Sequence, residues 1–138
     1  FLTYGPGQAS KRFLPQIIRG CLSDKPFPVS SGEQIRDFCY VDDTIRAILL
    51  ALTTPGGTGG VFNVARGYPV SIREMIQKVC LLIGAGKPCY GEVPYRPSEN
   101  MSLYANISKV KIFLQWEPVF SLDIGLQRTI DCYVNDHA

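Results

Sequence analysis

Gly32-Glu33-Gln34-Ile35-Arg36-Asp37-Phe38-Cys39-Tyr40-Val41-Asp42-Asp43 is the stretch on which the reading of this chain turns. Ser31 to Gln34 has the composition of a turn, and Ile35 to Tyr40 reads as a short strand. Asp42 or Asp43 then caps a helix whose apolar face is Ile45, Ile48, Leu49 and Leu52. Alternation along the strand puts Arg36 and Phe38 on one side and Asp37 and Cys39 on the other. An arginine in so apolar a run does not belong to a solvated face. Either it is paired with a carboxylate inside the fold, or its planar guanidinium is aimed at phosphate oxygens.

Upstream, Phe1-Leu2-Thr3-Tyr4 runs straight into the turn Gly5-Pro6-Gly7. Those β-prone residues read as the end of a buried strand and, with no initiator Met, the chain as a fragment. Phe13, Leu14, Ile17, Ile18, Cys21 and Leu22 recur at helical spacing, which predicts a helix over about 10–23 with Pro15 tolerated near its start. Lys25 to Val29 is held extended by its prolines.

Downstream, Thr53 to Gly60 is a glycine-rich loop and Val61-Phe62-Asn63-Val64 a strand. Ser71-Ile72-Arg73-Glu74 is a capping box opening a helix through about Ile83, closed by Gly84. Pro88 to Val93 is extended, Arg96 to Met101 a polar loop, and Leu103-Tyr104-Ala105 a short extended piece. Asn106 caps a helix carrying Ile107, Val110, Phe113 and Leu114, and a last helix starts near Ser121 with Leu122, Ile124, Leu126, Ile130 and Tyr133. Strands and helices alternate, so the fold class is α/β.

The 138 residues make one domain, 1–138, and 46% hydrophobic against 19% charged residues supplies a core rather than a disordered chain. A net charge of +2 lacks the basic excess of a nucleic-acid binder. Five cysteines (Cys21, Cys39, Cys80, Cys89 and Cys132) are an odd number without a Cys-x-x-Cys pair, and His137 is the single histidine. A disulfide framework, a structural zinc site and Ser-His-Asp chemistry are therefore disfavoured, and a reducing, cytoplasmic setting is expected. Val79-Cys80-Leu81-Leu82 reads as buried hydrophobic sequence. No apolar run is long enough to span a membrane.

Two glycine clusters invite a phosphate-loop reading. Gly56-Gly57-Thr58-Gly59-Gly60 precedes a strand instead of following one, so it reads as a plain connection. Gly5-Pro6-Gly7 has the right topology but neither dinucleotide-loop spacing nor a Walker lysine, and reads as a tight turn. Pro94-Tyr95-Arg96-Pro97-Ser98-Glu99 is more informative, because two prolines fix the position of Arg96. Glu99 is a partner for Arg96 or an acceptor for ligand hydroxyls. Two arginines with one carboxylate suit an anionic, hydroxylated ligand such as a diphosphate bearing sugars.

Tyr-Gly-Pro-Gly-Gln at 4–8, the quoted stretch at 32–43, Phe-Asn-Val-Ala at 62–65, and Arg-Pro-Ser-Glu through Tyr-Ala-Asn to Leu-Gln-Trp-Glu-Pro at 96–118 occur in one order. Together they resemble the C-terminal, substrate-binding part of an extended short-chain dehydrogenase/reductase, within the NAD-dependent nucleotide-sugar epimerase/dehydratase family. The resemblance covers almost the whole chain. It implies a small α/β substrate-binding part with short strands and about five helices, from which the Rossmann domain is absent. It also implies NAD or NADP held by that missing N-terminal domain, a homodimeric parent, and an epimerase, dehydratase or reductase reaction. No tyrosine here has a lysine four positions later, so the chain alone is expected to be catalytically inactive. By the resemblance Arg36 and Arg96 grip the nucleotide diphosphate, Glu99 binds the ribose, and Phe27, Pro28, Val29 and Ser30 lie along the base. Gln34 orients Arg36, and Asp43 is a capping residue. Leu2 departs from the family, standing where many members carry an asparagine that touches the phosphate. A non-catalytic nucleotide-sugar-binding or interaction module is the alternative. In either case the isolated chain is expected to expose apolar surface around Phe1, Leu2, Phe13 and Ile17 and to self-associate.

Overall fold

The structure is a computed structural model that describes residues 1–57 and 59–135; Thr58 and His137 lie outside the described residues. Among these the chain is α/β, with five helices and seven short strands, as the sequence predicts. The strands form three small sheets. β1 (Leu2–Tyr4) pairs in parallel with β4 (Phe38–Tyr40), and β2 (Pro26–Val29) pairs in parallel with β6 (Lys87–Tyr90). In the third sheet β3 (Ile35–Arg36) lies between β5 (Val70–Ser71), antiparallel, and β7 (Ser102–Leu103), parallel.

The predicted strand 35–40 is thus two strands in two sheets, broken at Asp37. The cause is a buried carboxylate: Asp37 accepts the backbone N–H groups of Arg66 and Gly67 at 2.9 and 3.0 Å. A carboxylate removed from water has to be saturated by donors, and turning the backbone brings it to two of them. The alternation survives the break, since Phe38 packs in the main core while Cys39 joins a second cluster on the other side.

α1 (Phe13–Leu22) buries Leu14, Pro15, Ile17, Ile18 and Cys21, the stripe that its spacing predicts. It starts three residues later than expected, because Arg12 at the N-cap offers no side-chain cap. α3 (Ile72–Ile83) matches the prediction at both ends. Ser71 and Glu74 form the reciprocal capping box, and Gly84 ends the helix in the left-handed conformation. These two helices and α5 (Leu122–Asn135) pack around Tyr4, Phe38 and Tyr40 as the main core. The second cluster centres on fully buried Trp116, with Val110 and Leu114 from α4 (Ser108–Leu114) and Ala47 from α2 (Val41–Thr53). Asn106 does accept the Ser108 N–H at 2.9 Å, although Ile107 occupies the N-cap position itself.

Several expectations fail. Val61–Val64 is not a strand: no strand edge pairs with it, and side chains hold it instead, with Phe62 against Phe113 at 6.2 Å and Asn63 donating to the Asn106 carbonyl at 3.3 Å. α2 is amphipathic as predicted but is turned the other way, so that Ile45, Ile48, Leu49 and Leu52 are exposed, Leu52 by 77%. Its inward face carries Asp43 and Ala47. Asp43 does not cap its own helix. It accepts the N–H groups of Val119 and Phe120 at 2.9 and 3.0 Å and so turns the helix toward the Trp116 cluster. Trp116 Nε1 in turn donates to the Asp43 carbonyl at 3.0 Å. Of the expected apolar patch, Phe1 is exposed and Leu2 and Phe13 are half-buried, but Ile17 is buried in the core, and α2 carries a further exposed apolar face. Cys80 is partly exposed and Leu81 is 80% exposed, so that run is less buried than its hydropathy predicts.

Candidate functional site

A cavity of about 440 Å³ opens where α1, α3, the ends of β2 and β3 and the 93–99 loop converge. Its floor is apolar: Phe13 and Ile17 from α1, Ile72 and Ile76 from α3. Its polar wall carries Gln34, Arg36, Arg96 and Glu99, and Pro28, Val29 and Ser30 form the adjacent edge. Seven of the eight sequence-predicted site residues therefore share one cavity, although they come from segments up to 71 positions apart. Phe27 does not line it. The parallel register with β6 points Phe27 inward, where its ring lies against Gly20 so closely that a Cβ there would approach it to 2.8 Å.

Arg36 is held from two sides. Its guanidinium donates to the Ile35 carbonyl at 2.8 Å and to Glu99 Oε1 at 2.5 Å, with side chains only 12% and 21% exposed. Glu99 thus pairs with Arg36 and not with its sequence neighbour Arg96. The Arg96 carbonyl accepts the Glu99 N–H at 3.0 Å in a tight turn, and Ser98 within it has a positive φ of 61°. The exposed Arg96 side chain makes no ion pair among the described residues, and it also borders a second cavity of about 250 Å³ shared with Leu2, Lys11 and Phe13. No hydrogen bond joins the Gln34 side chain to Arg36 among the described residues. Its carbonyl accepts the Ile72 N–H at 2.9 Å, and its buried Oε1 has no hydrogen-bond partner. A buried amide oxygen left so beside a cavity is a position for a ligand donor.

The loop bearing Arg96 and Glu99 is fastened by Tyr95, whose hydroxyl donates to Glu33 Oε2 at 3.1 Å and accepts the Glu33 N–H at 3.2 Å. Opposite it, Arg73 donates to the Ser31 carbonyl at 3.0 Å and stacks over the Tyr90 ring at 4.0 Å. Burial raises the Tyr90 hydroxyl above the usual tyrosine range, so this residue stays neutral beside the guanidinium. Sequence reasoning missed Lys11, Gln16 and Tyr95 on the cavity wall. Tyr95 had a legible signal, lying between Pro94 and Arg96; Lys11 just before α1 and Gln16 on it had none, because each reads as a solvated polar side chain.

The Gly5-Pro6-Gly7 turn does not form a cradle for a dinucleotide pyrophosphate. A Cβ on Gly5 would lie 2.5 Å from Val41 Cγ1, so Gly5 is packed against α2, whereas nothing lies within 4 Å of a Cβ built on Gly7. No group of side chains among the described residues could hold a metal ion. No helix among them is long and apolar enough to cross a membrane.

The model of the NAD dependent epimerase/dehydratase family matches residues 1–65. The chain is 30% identical to a dTDP-glucose 4,6-dehydratase of Xanthomonas campestris pv. campestris, a match that covers 96% of this chain and 40% of that protein. Among solved structures, the UDP-glucose 4-epimerase of Thermotoga maritima with UDP-glucose superposes with a TM-score of 0.90 at 27% identity, over 99% of this chain and 45% of that one. The UDP-glucuronic acid 4-epimerase of Bacillus cereus, in complex with UDP-glucuronic acid and NAD, gives 0.89 at 32% identity over 98% and 43%. The chain spans about 40% of the length of the curated relatives it matches. By these matches the chain is similar to members of the NAD-dependent epimerase/dehydratase family.

Proposed function

We propose that this chain is the substrate-binding part of an NAD-dependent nucleotide-sugar epimerase, dehydratase or reductase, and that the 440 Å³ cavity takes the nucleoside diphosphate of the sugar nucleotide. The observation that carries the reading is Arg36 inside that cavity, held at its rim by Glu99, with Arg96 on the same wall. Arg36 and Arg96 would neutralise the diphosphate, and a guanidinium fork does so better than an ammonium because its donors are planar and fixed. Glu99 would accept from the ribose hydroxyls, and the Pro28–Ser30 edge would lie along the base. Solved relatives carrying UDP-glucose or UDP-glucuronic acid support this substrate class.

The hydride chemistry is assigned to NAD or NADP held by residues other than these 138, since Gly5-Pro6-Gly7 has neither the spacing of a dinucleotide loop nor a Walker lysine. The 138 residues hold no Tyr-x-x-x-Lys pair and by themselves are proposed to be inactive. The odd cysteine count supports a reducing, cytoplasmic setting.

Calorimetric titration with UDP-glucose, dTDP-glucose, UDP and uridine tests the reading in the protein carrying this chain. Binding of the diphosphates, and affinity for uridine lower by at least about 100-fold, is the expected result for charge-assisted diphosphate contacts. Equal affinity for uridine and UDP would remove the diphosphate from the site.

A further inference from the structure

Cys21 on α1 and Cys80 on α3 are 59 positions apart in the chain, yet their sulfurs stand 3.4 Å apart. Both are free thiols. Cys21 is sealed in the core with no exposed surface, whereas Cys80 is partly exposed. Each lies one helical turn beyond an isoleucine of the cavity floor, Cys21 four residues after Ile17 and Cys80 four after Ile76. The two sulfurs therefore bridge the two helices that make that floor. Gly86, leading into β6, covers them with bare backbone. A Cβ there would lie 2.7 Å from Cys21 Sγ and 3.1 Å from Cys80 Sγ, and its φ of +121° is one that glycine alone adopts readily.

We propose that Cys21 and Cys80 are a reversible redox pair whose disulfide staples α1 to α3 behind the cavity when the protein meets a low-molecular-weight disulfide. The inference is independent of the substrate reading. The Cys80 thiol is the one that an external reagent reaches. Its thiolate attacks one sulfur of oxidised glutathione, the glutathione S–S bond breaks, and one glutathione leaves as a thiolate that takes up a proton. Cys21 then loses its proton and attacks the Cys80 sulfur of the mixed disulfide, expelling the second glutathione. In sum the protein gives up two protons and two electrons, and oxidised glutathione becomes two thiols. Closure requires the sulfurs to approach by about 1.4 Å, toward the ~2.05 Å of a disulfide, with no side chain between them. Burial, and next the adjoining Cys80 sulfur, push the Cys21 thiol up to about 12, which makes its attack the slow step.

The test is to incubate the protein carrying this chain with oxidised glutathione under native conditions, alkylate the remaining thiols, and map the peptides. A Cys21–Cys80 cross-link that dithiothreitol reverses is expected, with a rise in Tm of roughly 5–15 °C. Amide exchange should slow across 13–22 and 72–83. Cys80→Ser should abolish both the cross-link and the rise. Glutathione retained on Cys80 with no link to Cys21, cross-links that join only other cysteines, or an unchanged map would each overturn the proposal. The wild-type peptide map decides this even if Cys80→Ser folds poorly.

Discussion

Arg36 and Glu99, 63 positions apart, meet at 2.5 Å on the rim of the cavity, their side chains 12% and 21% exposed. A pair so placed is neither a free surface bridge nor a dry core ion pair. It holds the arginine in one orientation while leaving its remaining donors toward the cavity. Both readings that the sequence allowed for Arg36 are compatible with this geometry, because a carboxylate partner and an anionic ligand can share one five-donor fork.

If Arg36 grips a diphosphate, Arg36→Ala should weaken nucleotide-sugar binding by roughly 2–4 kcal/mol, as truncation of a charge-assisted contact does. Truncation also leaves Glu99 unpaired, so the double variant Arg36→Ala/Glu99→Gln should be measured beside it. The loss should persist in the double variant by titration calorimetry. Affinity restored there would show that Arg36 serves Glu99 and not the ligand.

Arg96 offers the complementary case. Its side chain is exposed and makes no ion pair among the described residues, so Arg96→Glu should leave stability within about 0.5 kcal/mol. The same change should lower affinity for UDP-glucose by at least about tenfold through charge reversal at the cavity wall. Unaltered affinity would take this loop out of the binding site.

Asp43 fastens α2 to the segment after Trp116 through two backbone N–H groups and Arg46 at 2.7 Å, and only 1% of it is exposed. Asp43→Ala strands those donors in the interior and should cost about 3–5 kcal/mol in urea unfolding. Asp37→Ala, which frees the Arg66 and Gly67 N–H groups, should cost about 2–4 kcal/mol by the same reasoning.

Glu74 is held below the usual carboxylate range by the backbone N–H and then the hydroxyl of Ser71, at 2.7 and 2.8 Å. Its folded pKa is thus lower than its unfolded one. The stability it adds is complete above the unfolded value and is lost as pH falls through the folded one. Stability differences between wild type and Glu74→Gln should therefore be present near neutral pH and shrink on acidification below about 4.5. A gap independent of pH would rule out the ionised carboxylate as its source.

The exposed side of α2 should make the 138-residue chain self-associate. Leu49 and Leu52 are 56% and 77% exposed beside Ile45 and Ile48. In sedimentation velocity, Leu49→Glu/Leu52→Glu should shift the chain toward monomer at matched concentration, with little change in Tm. Identical sedimentation of the two would place the contact elsewhere.

Local chemistry made much of the fold legible. The α3 boundaries follow from Ser71, Glu74 and Gly84, whose capping interactions lie within a single turn. The α1 stripe and the extended Lys25–Val29 segment follow from spacing and from proline's fixed φ. The candidate site residues come from family resemblance more than from residue chemistry, and which carboxylate each arginine meets was not readable. Arg96 and Glu99 are three positions apart, and proximity in sequence suggested the wrong pair.

Sequence by itself determined the α/β class, the helix ends that cap themselves, and the identity of the charged residues available for a site. Tertiary structure alone decided which way α2 faces, where the 35–40 strand breaks, and that Glu99 belongs to Arg36. The physical reason is common to the first two. Periodicity reports that a helix or strand has two unlike faces, but not which is inward. That choice is made by buried carboxylates, Asp37 and Asp43, whose need for donors is met only by backbone groups about 29 and 76 residues away.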